Sequence, residues 1–114
     1  MFLNTNNKFI WKNGSFEKWE DTSVHILSHT MHYGTGVFEG LRAYKTNNGP
    51  AIFRLKDHTN RLFDAASKIS LKIPYSPDEL NHVQKEIFIK NNLVEGYLRP
   101  VSYTHLTLPT NGTV

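Results

Sequence analysis

Residues 32–44 read HYGTGVFEGLRAY, a glycine-punctuated turn that runs into a strand. The glycines of the turn let the backbone bend and approach other groups closely. From Val37 onward we expect side chains to alternate between two faces, as strand residues do. One face then presents Phe38, Gly40 and Arg42. A ring, a gap and a cation suit a flat or anionic ligand, and the simpler interpretation is a half-buried strand with a glycine bulge.

The composition is that of a globular chain of at most one ordinary domain. Its 114 residues are 39% hydrophobic, which is enough for a modest core. The net charge of +3 comes without a basic run, which argues against nucleic-acid binding. The chain has no cysteine, no signal-like N-terminus and no apolar stretch long enough to cross a bilayer. We therefore expect a cytoplasmic protein that binds neither nucleic acid nor membrane.

Strand-like segments surround this stretch. An Asn13-Gly14 pair between aromatic-rich runs predicts a hairpin over residues 9–19. A second hairpin is predicted over residues 37–54, and a last strand over residues 96–103. On that last strand Tyr97 and Arg99 share a face, where they form either an anion-recognition pair or a solvated edge.

Two helices are predicted between these strands. Apolar and small residues at spacings of three and four predict a helix from Leu55 to Ile69, with Asp57 as its cap. Ser76 and Glu79 form a capping-box pattern that begins a second helix ending near residue 90. Strands first, then helices, then a strand give an α+β fold, an antiparallel sheet with two helices on one side. Arg61 on the first helix is either a solvated arginine or an anion anchor.

Three closely spaced histidines invite a metal-site interpretation. His25, His29 and His32 would share one face of a helix. The segment lies between strand-like runs and ends in Gly34, which leaves little room for a helix. No carboxylate stands at ligand spacing within it either. We therefore expect no metal.

Several motifs together resemble the branched-chain amino-acid aminotransferases, which are fold-type IV enzymes dependent on pyridoxal 5′-phosphate (PLP). The motifs are residues 32–42, the His58-x-x-Arg61-Leu62 turn and Tyr97-Leu98-Arg99-Pro100. The likeness runs from about Phe9 to Val101. It implies a small N-terminal domain over residues 1–103. Residues 104–114 match nothing and look like a foreign or read-through tail.

The resemblance also implies roles for individual residues. Arg61 would bind the PLP phosphate, and Phe38 and Gly40 would line the pocket for the aliphatic side chain. Tyr97 and Arg99 would contact substrate carboxylates, with Arg99 taking the distal carboxylate of glutamate. Tyr33 would enter the pocket of a neighbouring subunit in a homo-oligomer. Arg42 matches the motif without an assigned role.

The implied reaction is transamination between leucine, isoleucine or valine and 2-oxoglutarate. The Schiff-base lysine of the family lies in its large domain, and no lysine of this chain has a matching context. We therefore expect no catalytic residue here and an N-terminal fragment that is inactive alone. Three alternatives stay open: an aminodeoxychorismate lyase or a D-amino-acid aminotransferase of the same fold, or a non-enzymatic binding module.

Overall fold

The computed structural model describes residues 8–104, and in this part of the chain the fold is α+β with antiparallel sheets. Of the tail expected at residues 104–114, only Thr104 lies within the described residues. The elements in chain order are β1 (Phe9–Lys12), β2 (Ser15–Lys18), a 3-10 helix (Trp19–Asp21), α1 (His29–Tyr33), β3 (Gly36–Phe38), β4 (Leu41–Thr46), β5 (Gly49–Ile52), α2 (Leu55–Lys68), α3 (Pro77–Lys90), β6 (Gly96–Leu98) and β7 (Val101–Tyr103).

The β1–β2 hairpin forms as predicted. Its turn residues Asn13 and Gly14 both have positive φ, 51° and 99°, which a type I′ turn requires. Asn91, buried just after α3, holds the hairpin at its first strand. Asn91 Oδ1 accepts a hydrogen bond from the Phe9 N–H at 2.7 Å, and Asn91 Nδ2 donates to the Phe9 carbonyl at 3.1 Å. The hairpin is therefore fixed to the helix through backbone groups.

The first strand of the hairpin expected over residues 37–54 and the last strand expected over residues 96–103 are each interrupted, so that prediction was wrong in detail. β3 pairs with β7, and β4 lies between β5 and β6. The register is the same on both sides of the break, with Phe38 opposite Val101 and Leu41 opposite Leu98. At the break the Glu39 N–H donates to the Pro100 carbonyl at 3.1 Å, and proline has no N–H to return the bond. The missing donor interrupts an otherwise continuous ladder.

A short helix, α1, precedes β3. α1 spans only five residues and ends at Gly34, which adopts φ of 66° and donates its N–H to the Thr30 carbonyl at 2.8 Å. A left-handed glycine is a common way to end a helix, and here it also starts the turn into β3. The segment was expected to leave little room for a helix, and a helix of only five residues forms there.

The start of α3 agrees with the prediction from the sequence, and the cap predicted for α2 does not form. Ser76 and Glu79 form the full capping box at the start of α3: the Glu79 N–H donates to Ser76 Oγ at 3.1 Å, and the Ser76 N–H donates to Glu79 Oε1 at 3.0 Å. For α2 the expected cap, Asp57, lies inside the helix, and Arg54 in a left-handed conformation precedes it. The Asp57 carboxylate instead accepts from Arg54 Nε at 2.7 Å.

The strands form three small sheets, β1–β2, β3–β7 and β5–β4–β6, and the core lies between β4 and the two long helices. Its buried apolar residues are Leu41, Ala43, Leu55, Leu62, Ala66, Leu80 and Phe88. Between the helices, buried Thr59 donates its hydroxyl to Asn81 Oδ1 at 2.5 Å and accepts from Gln84 Nε2 at 3.0 Å. This polar contact fixes the rotation of α2 against α3. It joins the helix that carries Arg61 to α3 at a buried point.

Candidate active site

The β3–β4 stretch has two faces with different surroundings. Leu41 and Ala43 point into the core and are each 1% exposed. Because strand side chains alternate, Phe38, Gly40 and Arg42 lie on the opposite, open face, as predicted. Tyr97 on β6 and Arg99, in the break between β6 and β7, extend the same open face.

Four predicted site residues meet on this open face, and we call Phe38, Gly40, Tyr97 and Arg99 the aromatic–arginine cluster. Arg99 Nη2 donates to Tyr97 Oη at 2.6 Å. The guanidinium carbon of Arg99 lies 4.5 Å from the ring centroid of Phe38 and 5.4 Å from that of Tyr97. These distances are typical of cation–π contacts, so the cation is held between two rings and presents its remaining donors outward.

Gly40 makes room for this arrangement. A Cβ atom at position 40 would collide with the hydroxyl of Tyr97 and crowd the adjacent ring carbon. The glycine therefore lets the hydroxyl end of the Tyr97 side chain lie close to the backbone at position 40, where the hydroxyl accepts from Arg99. The Tyr97 hydroxyl occupies the gap that the sequence shows between Phe38 and Arg42.

Arg61 lies on α2 beside a second group of residues, which we call the Glu39 clamp (Glu39, His58 and Arg61). His58 Nδ1 lies 2.8 Å from Glu39 Oε1, and Arg61 Nε lies 3.5 Å from Glu39 Oε2. The Glu39 side chain is 10% exposed and that of Arg61 is 69% exposed. Beside the clamp, a depression of about 140 Å³ is lined by Arg54, Asp57, His58 and Arg61. Exposed cations around such a depression can receive an anion.

The clamp contains residues that the sequence did not single out as site residues. Glu39 alternates onto the inner face of the strand, and His58 was named only as part of the motif that also contains Arg61. The His58-x-x-Arg61 spacing was the available signal, because residues three apart share one helix face. That this face meets Glu39 depends on packing between elements far apart in sequence.

Tyr33 stands apart from both groups. It is 73% exposed at the end of α1, where its ring stacks on His29 with centroids 4.5 Å apart. His25 Nδ1 accepts from the Leu27 N–H, and His29 Nδ1 lies 3.3 Å from Thr104 Oγ1. Across residues 8–104, no three histidine or acidic side chains are gathered as metal ligands. Within the same residues no helix has the length and apolar character to span a membrane.

Comparisons with known proteins identify a family. The model of the class IV amino-transferases matches residues 36–106. The branched-chain-amino-acid aminotransferase of Pseudomonas aeruginosa is 50% identical over 94 residues, which cover 82% of this chain and 31% of that protein. The Escherichia coli branched-chain amino acid aminotransferase structure aligns with a TM-score of 0.84 at 41% identity, over 87% of this chain and 33% of that one.

A second solved structure is a complex with a ligand. The T.th. branched-chain amino acid aminotransferase complexed with N-(5′-phosphopyridoxyl)-L-glutamate aligns with a TM-score of 0.83 at 43% identity, over 88% of this chain and 33% of that one. The chain thus spans about a third of the length of the relatives it matches. The expected fold, the N-terminal domain of a fold-type IV aminotransferase, is confirmed. The chain belongs to the class IV aminotransferase family.

Proposed function

We propose that this chain acts as the small N-terminal domain of a PLP-dependent transaminase that exchanges amino groups between branched-chain amino acids and 2-oxoglutarate. The observation that carries the proposal is the aromatic–arginine cluster, where an apolar wall and a cation share one open face. The names of the similar proteins and the phosphopyridoxyl-glutamate ligand of one of them support the same reaction.

The surroundings of Arg61 suit the phosphate group of PLP. Arg61 exposes its guanidinium beside the depression near α2, and a guanidinium binds phosphate through paired donors. We assign Arg61 to the cofactor phosphate. When bound, PLP stabilises negative charge on the substrate carbon that carries the amino group. The contribution of this chain is to anchor the phosphate end so that the cofactor is oriented toward the substrate.

The aromatic–arginine cluster suits two different substrates. Phe38 offers an apolar wall for an aliphatic side chain, and we assign Gly40 to the same pocket. Tyr97 and Arg99 offer donors to carboxylates, and we assign Arg99 to the distal carboxylate of glutamate or 2-oxoglutarate. A pocket with one cation at its rim can use it for an acidic side chain and leave it to solvent for an aliphatic one.

The assembly around this domain follows from the same proposal. Tyr33, exposed on α1, would reach the pocket of a neighbouring subunit in a homo-oligomer.

The domain would comprise residues 1–103, followed by the separate tail, and the enzyme would work in the cytoplasm. The 114 residues alone would be inactive, because the lysine that anchors the cofactor belongs to the large domain in the family resembled.

The test is a graft in which residues 8–103 replace the matching residues of the E. coli branched-chain aminotransferase. We expect the graft to form glutamate from leucine and 2-oxoglutarate, and the 114-residue chain alone to form none. A graft that folds and assembles like its parent but transfers no amino group would refute the proposal. Turnover by the 114-residue chain alone would refute its inactive-alone part.

A further inference from the structure

The buried carboxylate beside Arg61 needs an explanation. Glu39 places a negative charge next to the arginine that we assign to the cofactor phosphate. Electrostatics alone would make an anion bind less well there. Glu39 is also largely buried, and burying a carboxylate costs free energy unless it is paired. The geometry of its contacts with His58 and Arg61 offers an explanation.

Each oxygen of Glu39 has its own partner. Oε1 lies 2.8 Å from His58 Nδ1, which must be the donor when the carboxylate is ionised, since that group only accepts. Oε2 lies 3.5 Å from Arg61 Nε. The contact engages the Nε side of the guanidinium and leaves the edge with the two terminal amino groups uncommitted by Glu39. That edge can bind two phosphate oxygens at once.

We propose that Glu39 is a positioning residue: its carboxylate, steadied by His58, holds the Arg61 guanidinium in the orientation that receives a phosphate monoester. This inference rests on the proposed function of Arg61. An exposed arginine has several rotatable bonds, and fixing it before the ligand arrives removes an ordering cost from binding. The strand position of Glu39 supplies the fixed point, since its neighbours are held by the β3–β7 and β4–β6 pairings.

The competing explanation is that Glu39 only ties α2 to the strands. The two explanations predict different changes in phosphate binding for Glu39→Gln. If Glu39 were merely structural and electrostatic, removing its charge would leave phosphate binding unchanged or strengthen it. If Glu39 positions Arg61, the same change weakens binding, and Glu39→Asp, which keeps the charge but shortens the reach, weakens it too.

The experiment is an NMR titration of the 114-residue chain with pyridoxine 5′-phosphate, which has no aldehyde to react with lysines. Pyridoxine serves as the phosphate-lacking control. We expect the Kd for pyridoxine 5′-phosphate to rise about tenfold in Glu39→Gln, because the cost of ordering the Arg61 side chain then falls on binding. The Arg61 Nε–Hε signal should also shift and exchange faster with water, while the α2 backbone amide signals stay in place. Glu20→Gln, an equal charge change at an exposed site, should not raise the Kd.

Different failures have different meanings. An unchanged or lower Kd in Glu39→Gln, or wild-type binding in Glu39→Asp, would overturn the positioning role while leaving the proposed function intact. If the chain does not bind the phosphate compound, or Arg61→Met binds it as well as wild type, the assignment of Arg61 falls. The positioning role falls with it. Should Glu39→Gln unfold, the Kd of Glu39→Asp decides alone.

Discussion

Gly40 is the residue on which the aromatic–arginine cluster depends most directly. The end of the Tyr97 side chain lies where a side chain at position 40 would otherwise stand, and its hydroxyl accepts from Arg99, which also contacts Phe38. Alternation along the strand was enough to predict that Phe38 and Gly40 share a face. The sequence did not reveal that the gap is filled by Tyr97, since that depends on the register between two strands.

We therefore expect Gly40→Ala to impair function far more than stability. The atom it would strike belongs to the end of an exposed side chain that can swing aside, so the free energy of unfolding should change by less than about 0.5 kcal/mol. The displaced hydroxyl would lose Arg99. In the graft, kcat/KM for 2-oxoglutarate should fall, while thermal unfolding is unchanged.

A double-mutant cycle isolates the cause of this loss. Tyr97→Phe removes the hydroxyl that the new methyl group would strike. In that background Gly40→Ala should have a much smaller further effect on kcat/KM. Equal effects of Gly40→Ala with and without the hydroxyl would show that Tyr97 is not the partner that matters.

At the scale of elements, the turns and helix caps that depend on neighbouring residues were predictable, and the short helix and the break in the strands were not. The Asn13-Gly14 turn and the Ser76–Glu79 capping box follow from residue types at fixed spacing. The five-residue α1 is too short to show a helical period, so no pattern in the sequence predicted it. The break in the long strands depends on Pro100 facing Glu39 across the ladder.

The capping box of α3 predicts a pH dependence. Hydrogen bonds from the Ser76 backbone and then its side chain lower the pKa of Glu79 below its ordinary value of 4.5. Because the folded-state pKa is the lower one, ionised Glu79 stabilises the fold above the unfolded-state pKa. That stabilisation is lost as the pH falls through the folded-state value.

Glu79→Gln should therefore make the free energy of unfolding less sensitive to acid between neutral pH and pH values below 4.5. Urea unfolding at a series of pH values measures this directly. Glu95→Gln, at an exposed acid outside the helix, is the matched control and should keep the wild-type pH dependence. Identical curves for wild type and Glu79→Gln would contradict the capping argument.

Asn91 predicts how firmly the first hairpin is attached. Its side chain satisfies both backbone groups of Phe9 and also donates to the Ile87 carbonyl at 2.9 Å. Asn91→Ala should cost about 1–3 kcal/mol in unfolding free energy, because part-buried backbone groups lose their partners. Asn47→Ala, in an exposed turn, should cost less than about 0.5 kcal/mol. If urea unfolding shows equal and small losses of unfolding free energy for both variants, water replaces the hydrogen bonds of Asn91.

At the scale of the whole molecule, the β3–β7 and β4–β6 strand pairs divide a buried side from an open one. Large apolar side chains on the open side stay exposed, among them Phe38 at 58%, Tyr97 at 56% and Val101 at 55%. The open side also carries the cluster that we assign to substrates. The sequence predicted this side from strand alternation. It did not predict the Glu39 clamp, which depends on how α2 packs against the strands.

The central claim is that one open face serves an aliphatic and an acidic substrate, with Arg99 used only by the latter. The most direct test is steady-state kinetics of the graft with Arg99→Met, varying leucine and 2-oxoglutarate separately. The account predicts that the KM for 2-oxoglutarate rises by roughly ten- to a hundredfold, as for a lost hydrogen bond to a charged group, with the KM for leucine nearly unchanged. An equal rise for both substrates, or none for either, would contradict it.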